Sequence, residues 1–185
     1  MIELQTQYQK AMRFAAQKHA DINQLVPGTN LPYVVHLSNV AMEILITAQK
    51  TAHFDSIFAV QVALLHDVLE DTATTFDEIV TEFGKEIADG VLALTKNKTI
   101  PKEEQMEDSL NRIKTLPKEV WAVKLADRIT NLQVPPKHWS LEKITNYQKQ
   151  AVFIHDSLKS GNAYLEHRLW EKTIAYLKYC TNASE

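Results

Sequence analysis

The stretch Ala63–Thr72, "ALLHDVLEDT", starts apolar and then sets His66, Asp67, Glu70 and Asp71 within six residues. Read together with the residues before it, "SIFAVQVALLHD" (56–67) is apolar on nearly every side of a helix, the mark of a core helix. Four Gly and six Pro in 185 residues, with apolar positions elsewhere at helical spacing, extend that reading to the whole chain. The expected fold is all-α, one domain over 1–185, with roughly eight to nine helices and no convincing strand.

Neighbours on a helix point about 100° apart, so His66 and Asp67 share a target only near a helix end or a bend. Thr72 and the turn-prone residues after it supply such an end. Glu70 follows His66 by four residues and Asp71 follows Asp67 by four, both same-face spacings. One helix end thus gathers an imidazole and up to three carboxylates. Left unpaired, they would repel one another and be costly to desolvate. A divalent cation removes both costs. A His/carboxylate set without thiolate suits manganese, iron or zinc. A second pair, His155-Asp156 in "AVFIHDSLKSG", has no acidic pair after it and reads as ordinary helix surface.

Outward from this stretch, the first helix is expected over about Leu4–His19, with Leu4, Tyr8, Ala11, Met12, Ala15 and His19 on one face. "DINQLVPGTNLP" is a loop, and a helix begins near Val34. Thr75 and Glu78 form a capping-box pattern, with Gly84 as the stop. "KEIADGVLALT" is a further helix. Pro101 suits the first turn of a polar helix, "PKEEQMEDSLNRIK", and Pro117 opens the next, which Pro135-Pro136 must end. Two last helices follow Ser140 and Asn162.

The formal net charge of −3 gives no global reason to bind nucleic acid or anionic lipid. No apolar run is long enough to span a membrane, and "MIELQTQYQK" lacks the pattern of an export signal. The lone Cys180 forms no internal disulfide, which points to a reducing, cytoplasmic setting.

Three motifs in order, "YVVHLSNVAMEIL" (33–45), "ALLHDVLEDT" (63–72) and "VKLADRITNL" (123–132), resemble the HD-domain superfamily. More closely they resemble the hydrolase domain of RelA/SpoT proteins and the stand-alone small alarmone hydrolases, from about Phe14 to Tyr147. The resemblance implies an all-helical, usually manganese-dependent enzyme that removes the 3′-pyrophosphate of (p)ppGpp. It implies His36, His66, Asp67 and Asp127 as ligands of one divalent ion, Mn2+ by preference. It makes Glu70 and Asp71 the acids that orient the attacking water and handle protons. It gives Asn131 to the nucleoside and puts Tyr33 and Tyr147 on the substrate pocket. Each residue also has a structural account of its own: His36 as a satisfied core histidine, Asp127 as a partner of Lys124 or Arg128, the tyrosines as core aromatics, Asn131 as a helix-end residue. His19 and His53 have no visible partner set and read as structural.

The chain departs from that family in two places. No Lys or Arg occurs between Lys18 and His36, where the family carries a basic stretch, and "NKTIPKEEQMEDSLNR" is mostly acidic where arginines are usual. Lys96, Lys98, Lys124 and Arg128 remain to meet phosphates. The function expected is pyrophosphate removal from a small-molecule purine nucleotide, (p)ppGpp or (p)ppApp. The alternatives are an HD-type nucleotidase releasing orthophosphate and a non-catalytic nucleotide sensor.

Overall fold

The computed structural model describes residues 2–181. Among these, ten α-helical segments run in the order α1 (Ile2–Asp21), α2 (Val34–Lys50), α3 (Ser56–Leu65), α4 (Val68–Asp71), α5 (Phe76–Phe83), α6 (Lys85–Leu94), α7 (Gln105–Lys114), α8 (Lys118–Asn131), α9 (Leu141–Leu158) and α10 (Ala163–Tyr176). A 3-10 turn follows at Leu177–Tyr179, and the one extended pairing is an isolated bridge between Leu25 and Pro32. The all-α fold expected from the sequence is present, with one segment more than anticipated.

The extra segment comes from α3. Its residues Ala59–Leu65 are all buried, and it packs against α1, α2, α6 and α8. The Nδ1–H of His66 reaches back 2.7 Å to the Ala63 carbonyl, an acceptor that an unbroken helix would give to the Asp67 amide. Asp67 then sits at φ −104°, ψ −4°, the sparsely populated bridge region, and the four-residue α4 restarts beyond it. The chain therefore bends at the His-Asp pair.

Buried faces follow the helical period. On α2 they are His36, Leu37, Val40, Ala41, Ile44 and Thr47; on α8 nearly every residue from Val120 to Ile129 is buried. Ala11, Ala15 and His19 of α1 are buried, and Leu4, Tyr8 and Met12 pack beside the same core. Caps act where the sequence put them. Ser140 accepts from the Lys143 amide, and Asn162 from the Leu165 amide. Asp55 caps α3 by accepting from the amides of Ile57 and Phe58 at 3.1 and 2.9 Å. Because α3 carries the site, Asp55→Ala is expected to lower stability by about 1 kcal/mol. A shift in the urea midpoint at constant m-value would report it.

Three local expectations change. The capping box is half formed: the Thr75 hydroxyl accepts from the Glu78 amide, but the Glu78 carboxylate turns to Lys18 Nζ, 2.7 Å away on α1. Pro101 opens a turn rather than a helix, since α7 begins at Gln105. Helix α8 stops at Asn131, four residues ahead of Pro135. The second His-Asp pair also differs from surface: His155 is buried, stacks on Trp170 and holds Glu166 of α10 at 3.0 Å. Only Asp156 of that pair faces solvent.

Candidate metal centre and its adjoining cavities

Three of the most buried helices meet at one point. Helix α2 brings His36, the α3–α4 bend brings His66 and Asp67, and the last turns of α8 bring Asp127. The two imidazole Nε2 atoms lie 3.3 Å apart. Asp67 Oδ2 is 2.9 Å from His66 Nε2 and 3.7 Å from His36 Nε2. Asp127 Oδ1 is 3.5 Å from His36 Nε2 and 3.7 Å from His66 Nε2. Ligands at right angles around an ion at about 2.1 Å would be about 3.0 Å apart, and tetrahedral ones slightly more. His36, His66 and Asp67 alone offer three ligand atoms close enough to hold one ion. The bond from His66 Nδ1 to Ala63 assigns the proton to that nitrogen and leaves the Nε2 lone pair facing the cluster, as a metal ligand requires. The donor set therefore fits a divalent ion.

Within the chain itself, the charges of the cluster compensate one another. Burial alone would lower the His66 imidazole, but the Asp67 and Asp127 carboxylates outweigh it and lift it well above its usual range. Burial would raise both aspartates. Instead His66 holds Asp67 down, and Lys124 with the two histidines holds Asp127 down. Both carboxylates are thus kept ionised inside the protein by the imidazoles and Lys124 around them.

The remaining sequence candidates surround the same place. Tyr33, Glu70, Asp71, Lys124, Arg128, Asn131 and Tyr147 line a cavity of about 290 Å³ together with His66, Asp67 and Asp127. Two of them turn toward the ligands. The Tyr33 hydroxyl donates to Asp67 Oδ2, and the Asn131 amide donates to Asp127 Oδ1. Burial and the Asp67 charge push the Tyr33 phenol far up, so it stays a donor. Lys124 Nζ is 3.5 Å from Asp127 Oδ2. The Arg128 guanidinium lies over the Tyr147 ring at 4.2 Å, with Nε and Nη1 buried and lacking any partner.

The two acids after the bend are held differently. Glu70 accepts from Lys96 twice, from the amide at 3.1 Å and from Nζ at 2.7 Å, and its carbonyl takes Lys98 Nζ at 2.9 Å. Asp71 accepts from Gln24 Nε2 at 2.8 Å. Partial desolvation and the Asp67 and Glu70 charges raise the Asp71 carboxyl above its usual range, despite the Gln24 bond. Lys96, Met106 and Gln150 also line the cavity; no local pattern marks the last two. His19, read as structural, is buried against Tyr33 and bonds to Gln24.

A second cavity of about 400 Å³ adjoins the first through Asn131 and Tyr147. The loops 25–31 and 133–139 give it Val26, Leu31, Val134, Pro136 and Trp139, helices α2 and α8 give His36, Asn39 and Thr130, and its lining holds no Lys or Arg. The loops touch where Gly28, at φ +78°, packs against Pro136; a Cβ there would lie 3.1 Å from the proline ring.

A helical fold with a His, His-Asp and Asp set at this bend defines an HD domain, and the HD-domain family model matches residues 11–159. The chain belongs to that family. It is similar to guanosine-3′,5′-bis(diphosphate) 3′-pyrophosphohydrolase MESH1 of Homo sapiens, 34% identical over 165 residues, 86% of this chain and 89% of the relative. The Danio rerio protein of the same name is 32% identical, covering 86% and 88%. Among solved structures, that of a metazoan ortholog of SpoT that hydrolyzes ppGpp superposes with a TM-score of 0.78 at 28% identity, covering 91% and 94%.

Proposed function

We propose that the chain is a metal-dependent phosphohydrolase that removes the 3′-pyrophosphate from a purine nucleotide of the (p)ppGpp or (p)ppApp kind. The observation that carries this reading is one cavity in which the metal-sized donor set faces Lys96, Lys124 and Arg128, the last with buried donors that have no partner. Similarity to relatives named for this activity supports it. We take Mn2+ as the ion, bound by His36, His66, Asp67 and Asp127, from the resemblance to manganese-dependent alarmone hydrolases; imidazole and carboxylate donors without thiolate accommodate it. A divalent ion held by these four residues would supply Lewis acidity and would lower the pKa of water from 15.7 toward ~7.

The chain's own residues do the rest. Asp71 and Glu70 flank the ligands and accept the proton of the attacking water. The bond between the 3′ oxygen and phosphorus breaks, a new oxygen–phosphorus bond completes pyrophosphate, and the 3′ oxygen takes a proton. Arg128, Lys124 and Lys96 offset phosphate charge, with Arg128 placed over the Tyr147 ring. The second cavity receives the nucleoside beside Asn131 and Tyr147. Among the described residues no helix is long and apolar enough to cross a membrane, and we place the enzyme in a reducing, cytoplasmic setting as a single domain.

A manganese-supplemented nucleotide panel with separate detection of pyrophosphate and orthophosphate tests this function. Pyrophosphate from ppGpp and ppApp is expected. With apolar walls and no cation in the second cavity, kcat/KM for the two is expected within about tenfold, the scale on which apolar pockets discriminate. Orthophosphate alone would favour the nucleotidase. Nucleotide binding without turnover would favour a sensor.

A further inference from the structure

His19 and Gln24 have no place in the chemistry above, yet they end on one of its acids. His19 lies in the last turn of α1 and is 1% exposed. Its Nδ1 lies 2.6 Å from Gln24 Oε1, and Gln24 Nε2 donates to Asp71 Oδ2 at 2.8 Å. The direction of this chain is fixed. Ionised Asp71 only accepts, so Gln24 must present its NH2 there and its carbonyl oxygen to His19. His19 must then carry its proton on Nδ1. His19 Nε2 is buried with no partner, which agrees with a lone pair there and not a proton. The backbone holds the middle of the chain: the Gln24 amide donates to the His19 carbonyl at 3.0 Å, and the Gln24 carbonyl accepts from the Tyr33 amide at 3.1 Å. Asn23, at φ +53°, makes the left-handed turn that brings Gln24 back over the helix end. Among the described residues Gln24 gives Asp71 its one side-chain hydrogen bond.

We propose that Gln24, oriented by His19, is a positioning residue for Asp71: it pins Oδ2 and so presents Oδ1 to the attacking water. This role rests on the hydrolase reading above. Asp71 stands at the open side of the cavity, where an untethered carboxylate would sample several rotamers. A tether made by a neutral amide orients the acid without neutralising it, as a lysine would.

The test compares kcat, KM and bound manganese in Gln24→Met, His19→Leu, His19→Asn and the double variant His19→Leu/Gln24→Met, with ppGpp as substrate. Gln24→Met is expected to lower kcat roughly tenfold, the worth of one hydrogen bond to a charged group, with KM and metal content unchanged. His19→Leu should fall similarly, and the double variant no further than either single one. His19→Asn places an amide donor where Nδ1–H stood and should recover most of the loss, which mere filling of space by leucine would not. Independently of activity, 15N NMR should find His19 as the Nδ1–H tautomer, lost in Gln24→Met. A wild-type kcat in Gln24→Met, additive losses in the double variant, or an Nε2–H tautomer would each overturn the role. No pyrophosphate release by the wild-type chain from either ppGpp or ppApp would overturn the proposed function itself, and this role with it.

Discussion

Replacing Asp67 by alanine is expected to empty the metal site and bring turnover to background. Asp67 Oδ2 is the donor nearest His66 Nε2, at 2.9 Å, and also takes the Tyr33 hydroxyl. Its loss removes a charge from the set and frees two neighbours that it aligns. The matched control is Asp156→Ala in the second His-Asp pair. Asp156 is 58% exposed, and His155 keeps Glu166 without it, so that variant should retain metal and rate. Metal analysis of both purified proteins, beside pyrophosphate release, decides the matter. Equal metal loss in the two would remove the ligand assignment.

Glu70→Gln is expected to lower turnover by roughly 10²–10⁴-fold while metal and nucleotide still bind. That loss corresponds to about 2.7–5.5 kcal/mol of barrier. Glutamine keeps the shape and can still accept from the Lys96 amide, but it takes up no proton. The Lys96 Nζ bond to Glu70 makes a second account possible, in which the substitution acts by releasing Lys96. Lys96→Met separates the two. If Lys96 serves phosphate, that variant raises KM and spares kcat. A near-normal kcat in Glu70→Gln would reduce Glu70 to the counter-ion of Lys96.

Periodicity and punctuation carried most of the fold. The all-round apolar pattern of 56–65, the stop at Gly84 and the caps Ser140 and Asn162 all act within a few residues, so a linear reading reaches them. The helix end expected at Thr72 was legible for the same reason, whereas the break at His66-Asp67, set by the His66 bond to the Ala63 carbonyl, was not. What escaped depends on distant partners. Glu78 left its capping box for Lys18, 60 residues away, and His155 went inward for Glu166 on the next helix. At the site, residue types were legible from three motifs, whereas their hydrogen bonds were not. Tyr33 and Asn131 spend their polar groups on Asp67 and Asp127 because packing of α2, α3 and α8 sets those orientations. The His19–Gln24–Asp71 chain spans 47 residues between its last two members and leaves no local signature.

The bend between α3 and α4 has a consequence for tolerance to insertion and deletion. One residue added or removed between Leu65 and Glu70 would turn everything beyond it by about 100° and move it about 1.5 Å along the axis. The acids would leave the face that the imidazoles occupy, although every side chain was still present. Phosphate chemistry is thus tied to chain length as strictly as to residue identity. The second cavity is built otherwise: part of its wall is the loops 25–31 and 133–139, which meet at Gly28 and Pro136. Gains and losses of residues are tolerable there. With the nucleoside placed there, as proposed above, a change of loop length would alter the base accepted and leave the bond cleaved unaltered.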